Sequence, residues 1–183
     1  AACVQTGGTQ RSPESEVRTA SDPSDAEKRA SVRLELAGGY YSRGQFATAL
    51  DEIRLALAAK PDMGAAYNMR GLVYAAMSED ALAEESFARA LSLNPRDADA
   101  LHNRAWFKCQ RGQYDDADRL FEQAIATPQY RDVARSLMAQ GICDARAGRM
   151  GPAEQKLLRA YEVDPANPTT AFNLADVLYR RNE

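Results

Sequence analysis

From about residue 30 onward, small, bulky and turn-forming positions recur along the chain at one fixed interval, and that interval predicts the elements. Small residues stand at Ala37, Gly71, Ala105, Gly141 and Ala175. A second small column is Ala49, Ala83, Ala117 and Ala153, and a third is Ala56, Ala90, Ala124 and Ala160. In every column the steps are 34, 34 and then 36 residues. Three registers sharing one insertion define a repeat. Bulky side chains keep step: Ile53, Phe87, Phe121 and Leu157 in one column, and Phe46, Tyr114 and Met150 in another. Gly44, Gly112 and Gly148 occupy the place where a helix must end and turn, with Ser78 replacing glycine in the second unit. Pro61, Pro95 and Pro165 stop the second helix of their units, and the two extra residues fall within 128–132.

A 34-residue unit accommodates two helices of about 14 residues and a short turn. The small columns let helices approach closely and the bulky columns fill the space between them. No unit buries its own apolar face, so the units must stack, predicting an all-α fold, a right-handed α-α superhelix. The units run 30–63, 64–97, 98–131 with two inserted residues, and 134–167, and residues 168–183 are the first helix of a fifth. With its second helix missing, the apolar side of Phe172, Leu174 and Leu178 is incompletely covered, so the natural chain is expected to continue or to meet something there. The repeat domain is 28–183. Residues 1–27 form a leader, which between 4 and 25 is rich in Ser, Thr, Gly and charge and reads as a disordered tether. Asp22 or Ser24 is placed to cap the first helix, which starts near residues 25–28.

Charge narrows the function. The chain has 23 Lys and Arg against 26 Asp and Glu, for a net −3. That whole imbalance sits in residues 1–27, and nothing provides the basic surplus that nucleic acid requires. One histidine and three cysteines leave little material for metal or nucleophilic chemistry. No cofactor and no catalytic set is expected. The adjacent acids Glu84–Glu85 and Asp115–Asp116 read as solvated helix faces, since neighbouring carboxylates on a helix diverge. Asp99 and His102 lie one turn apart and are placed to hydrogen-bond; without a second histidine, His102 is a poor metal ligand. No apolar run is long enough to span a bilayer as a helix.

The small, aromatic and terminal-proline positions resemble the tetratricopeptide repeat. That resemblance implies a binding scaffold in which the first helices line a concave groove through positions 2, 5, 9 and 12 of each unit. It places Leu34, Gly38 and Tyr41 on the groove from unit one, Asn68 and Leu72 from unit two, His102 and Trp106 from unit three, and Met138 and Ile142 from unit four. Such a trough, mainly apolar and aromatic with isolated polar groups, suits an extended or helical peptide. Arg135 and Asn68 stand far apart among apolar groups, which disfavours a clamp for a carboxylate-terminated tail. For Trp106, packing between helices is an equal alternative.

Two local features are more specific. Ala1-Ala2-Cys3 resembles the end of a bacterial lipoprotein signal, in which Cys3 carries the lipid and becomes the membrane anchor. The stretches 102–112 (HNRAWFKCQRG), 128–130 (PQY) and 141–148 (GICDARAG), with 176–179 (DVLY), resemble the type IV pilus biogenesis lipoproteins of the PilF/PilW family, the pilotins. The resemblance implies an outer-membrane lipoprotein facing the periplasm, non-enzymatic, whose protein partner is the pilus secretin; one groove per chain gives no reason to require self-association, so a monomer is expected. It would aid secretin localisation and multimer assembly. The alternative is another periplasmic tetratricopeptide lipoprotein serving as an adaptor in envelope synthesis. Cys109 and Cys143 lie at positions 12 and 10 of successive units, roughly 160° apart at about 100° per residue. On equivalent neighbouring helices they face one another. A Cys109–Cys143 disulfide is expected in an oxidising periplasm, the alternative being two buried thiols.

Overall fold

The computed structural model describes residues 24–182. Among them are nine α-helices and no strand: α1 (Asp25–Ser42), α2 (Phe46–Ala59), α3 (Gly64–Ala76), α4 (Asp80–Leu93), α5 (Ala98–Gln110), α6 (Tyr114–Ile125), α7 (Val133–Arg146), α8 (Met150–Val163) and α9 (Pro168–Arg181). They form four helical hairpins, α1–α2, α3–α4, α5–α6 and α7–α8, with α9 packed on the last. Helix α1 begins at Asp25, so residues 25–27 belong to the first helix and not to the leader. Ser24 caps it, accepting from the Glu27 amide while the Glu27 carboxylate accepts from the Ser24 amide. The rest of the expected tether, Asp22 and Cys3 included, lies outside the described residues.

Local chemistry accounts for the boundaries. Gly44, Gly112 and Gly148 have φ of 72°, 73° and 77°, and Ser78 adopts φ of 62° at the equivalent turn. After α2, α4 and α8 the chain leaves the helix through Lys60, Asn94 and Asp164, each with φ near −140°. Each of the three precedes a proline, which disfavours a further helical residue. Asp97 caps α5, and Asn167 caps α9 ahead of Pro168 at its first turn. A Cβ at Gly71 would stand 2.6 Å from the Phe87 ring, and one at Gly141 would stand 2.7 Å from Leu157 and 3.1 Å from the Ala153 carbonyl oxygen. The bulky column of the second helices thus closes directly onto the small column of the first.

The backbones of successive first helices pack against one another, α1 to α3, α5, α7 and α9 in turn, whereas those of successive second helices stand farther apart, with Lys156 of α8 reaching Glu122 of α6 at 3.8 Å. A stack closer along one side than the other curves toward the close side, so the row of first helices is the concave face. Core residues lie between the layers: Ile53, Val73, Phe87, Phe121, Leu157 and Val177 are essentially inaccessible. Cys109 of α5 and Cys143 of α7 are joined as a disulfide with their Cα atoms 5.8 Å apart. At the open end Leu174 packs against the core of the fourth hairpin, but Phe172 and Tyr179 are 72% and 66% exposed.

Candidate peptide-binding groove

Three of the expected groove residues converge. Tyr41 from the end of α1, Leu72 from α3 and Trp106 from α5, all half-buried, border one cavity of about 550 Å³ on the concave face. Their spacing follows from the repeat: equivalent slots on successive first helices come side by side when the helices stack in register. Tyr41 is held by a tilted contact with Phe46 at 6.0 Å. Arg111 lies over the Phe107 ring at 4.5 Å, and its Nε and Nη2 donate to Asp80 Oδ1 at 3.1 and 2.6 Å. The hydrogen bond from Arg111 holds the Asp80 carboxyl below the usual carboxylate range. Arg146, at the end of α7, stands over the Trp106 ring at 5.1 Å.

The remaining expected residues divide. Leu34 packs half-buried on the core of the first hairpin, and Gly38 sits beside Met69. Met138 and Ile142 pack against Ala153, Leu157 and Val177, so they lie on the first-helix row but away from the cavity. Asn68 and Arg135 are not isolated: Asn103 Nδ2 donates to Asn68 Oδ1 at 3.2 Å, and Arg135 Nη2 donates to Asn103 Oδ1 at 3.1 Å. A polar rung therefore crosses α3, α5 and α7.

His102 is not part of the groove surface. It is 5% exposed, stacked edge-on to Phe121 at 5.6 Å, with Nδ1 2.8 Å from Ser136 Oγ. Its expected partner Asp99 instead faces Arg135 at 3.9 Å. Burial, aided by the Arg135 charge, lowers the His102 pKa to about 3, so the ring is neutral near pH 7. Ser136 Oγ also lies 3.0 Å from Tyr130 Oη, which ties the inserted segment to α5 and α7. Glu84 is likewise more than a solvated acid. Half-buried, it pairs with Arg104 and with Lys108 at 3.2 Å, and despite the cost of burial these two cations lower its pKa. Among the described residues no group of three or more metal-ligating side chains occurs, and no helix is long and apolar enough to cross a membrane.

Sequence spacing missed Asn103, Arg111, Arg146 and Ser136. Asn103 and Arg146 sit one slot beyond groove positions, and their contacts across helices, Asn103 with Asn68 and Arg135 and Arg146 with Trp106, place them beside it.

A stack of helical hairpins with a concave, partly aromatic trough defines a protein-binding repeat scaffold. Tetratricopeptide repeat models match residues 34–98 and 109–169, and a further one matches 86–119; the chain belongs to the tetratricopeptide repeat family. It is homologous to the type IV pilus assembly protein PilF of Pseudomonas aeruginosa, at 25% identity over 150 residues covering 82% of this chain and 60% of PilF. The chain thus spans about 60% of the length of that relative. The solved structure of P. aeruginosa PilF superposes with a TM-score of 0.81 at 23% identity, covering 86% of this chain and 71% of that one. PilW, a widely conserved type IV pilus biogenesis factor, gives a TM-score of 0.76 at 30% identity, covering 81% and 68%.

Proposed function

We propose that this protein is a non-enzymatic scaffold of type IV pilus biogenesis, held at the periplasmic face of the outer membrane by a lipid on Cys3. It acts as a monomer that binds a segment of the pilus secretin in the concave groove and so promotes secretin localisation and multimer assembly. The homology to PilF and PilW supports the pathway. The observation that carries the binding mode is the convergence of Tyr41, Leu72 and Trp106 on one concave cavity. These are rigid or branched apolar groups, packed at their bases and half-exposed toward the cavity, the character of interface anchors. Polar side chains beside them are positioned to satisfy an extended backbone.

Genetics and pull-down test it together. A strain lacking the gene is expected to retain monomeric secretin and lose its multimers, and Cys3→Ser is expected to mislocalise the protein. Leu72→Asp and Trp106→Ala, with folding checked by circular dichroism, are expected to lose secretin in pull-down. Unchanged multimers in the deletion strain would remove the pathway assignment; retained binding by both folded variants would remove the groove.

A further inference from the structure

The cavity bordered by Tyr41, Leu72 and Trp106 is not neutral. Its lining contains two guanidinium groups, Arg111 and Arg146, and no carboxylate. Arg111 is already committed, since Nε and Nη2 reach Asp80 Oδ1, Nη1 donates to Gln110 Oε1 at 3.3 Å, and Nη2 also approaches the Ala75 carbonyl oxygen at 3.4 Å. Arg146 is different. It is exposed, its Cζ stands over the Trp106 ring at 5.1 Å, and it forms no ion pair or hydrogen bond with any described residue. A guanidinium held over an indole by cation–π attraction has lost part of its rotamer freedom, yet its N–H donors stay free for an anion. The cavity therefore presents an apolar floor and one oriented, uncompensated cation at its rim.

Resting on the groove reading above, the geometry points to the class of peptide it accepts: a segment in which a carboxylate lies next to an apolar side chain. The apolar group enters between Tyr41, Leu72 and Trp106, and the carboxylate takes the free edge of Arg146 as a charge-assisted pair. Charge complementarity selects this occupant over a neutral or basic one, because a cationic residue at that point would meet Arg146 with no carboxylate in the lining, the neighbouring Asp80 being engaged by Arg111. An acidic side chain and a chain-terminal carboxylate share this chemistry.

Selection from a random dodecapeptide library displayed through its C-terminus tests the inference on the full chain, with parallel selections on Arg146→Gln, Arg146→Lys and Leu72→Asp. Wild type and Arg146→Lys are expected to enrich peptides with Asp or Glu beside Leu, Phe, Tyr or Trp; Arg146→Gln is expected to keep the apolar enrichment and lose the acidic one. A winning peptide, synthesised with Glu or Gln at the acidic position, is then titrated by the fluorescence of Trp106, the only tryptophan in the chain. The Glu-to-Gln change is expected to weaken binding by about two- to ten-fold in wild type and not in Arg146→Gln. A Gln peptide with a free terminal carboxylate, compared with its amide, separates the two sources of the anion. Leu72-dependent binders with no acidic preference, or a preference that survives in Arg146→Gln, would overturn this inference and leave the groove intact. Absence of any Leu72-dependent binder would overturn both.

Discussion

At the scale of single residues, two positions that look alike in the repeat behave oppositely. Ser78 does the work that glycine does at residues 44, 112 and 148, holding a φ of 62° at a turn where its own Cβ is unwelcome. Ser78→Gly is expected to raise stability by up to about 1 kcal/mol, after the added freedom of the unfolded chain is subtracted. Urea midpoints compared with wild type check this, and a lower midpoint would count against it. In the small column the sign reverses. Gly71→Ala and Gly141→Ala gain helix propensity, but each forces a methyl into a ring or a branched side chain backed by the opposing helix. Both are expected to lose about 1–3 kcal/mol in the same assay. The columns were legible in the sequence because only small residues fit them. Which members had to be glycine was not, because Ala105 occupies the same register opposite the equally bulky Phe121. The closeness of α3 to α4 is a property of a whole packed hairpin.

At the scale of elements, the third and fourth hairpins are tied at several levels. The inserted segment is fixed by Tyr130 and Ser136 to His102, Gln140 of α7 donates to Asp118 of α6 at 2.6 Å, and Arg149 bridges Asp115 at 2.7 Å and the buried Asp144 at 2.8 Å. His102 makes this junction sensitive to pH. Its folded pKa of about 3 lies below the ordinary 6.5, so below pH 6.5 the unfolded chain holds a proton that the folded state refuses. Stability contributed by the neutral ring is complete above pH 6.5 and is lost as pH falls toward 3. The slope approaches about 1.4 kcal/mol per pH unit. This is the chain's only histidine, and denaturation at pH 7, 6 and 5 reads its slope against that of the buried Asp144, whose carboxyl burial pushes up and which therefore acts in the opposite direction. His102→Gln is expected to flatten the slope, and an equal slope in both proteins would exclude His102 as its source. The disulfide adds a separate constraint. It closes a loop of 34 residues, so replacing both Cys109 and Cys143 by Ala is expected to lower stability by roughly 3–4 kcal/mol under non-reducing conditions. A reductant should bring wild type down toward the variant.

At the scale of the whole molecule, the fold was legible because a linear stack is encoded one repeat at a time, and 34-residue columns report every interface in turn. The groove was only partly legible. Slots on one helix predicted Tyr41, Leu72 and Trp106, but contacts with neighbouring helices decided that His102 turns inward against Phe121 and Ser136 and that Arg146 reaches Trp106. The same architecture predicts an uneven distribution of stiffness, since in a solenoid each hairpin is stabilised only by its neighbours. Among the described residues the α5–α7 region has neighbours on both sides, the disulfide and the polar ties, whereas the first hairpin packs on one neighbour and joins it through apolar contacts of Ile53, Ala56, Ala66 and Val73. Amide hydrogen exchange should therefore be slowest in α5, α6 and α7 and faster in α1 and α9, and reductant should speed exchange most in α5 and α7. A peptide in the groove spans both regimes, touching Tyr41 on the looser side and Trp106 on the stiffer one. Binding can add little protection where opening is already suppressed, so most of the gain should appear in α1 and α3. Protection gained mainly in α7 to α9 would place the ligand at the exposed face of Phe172 and Tyr179 instead.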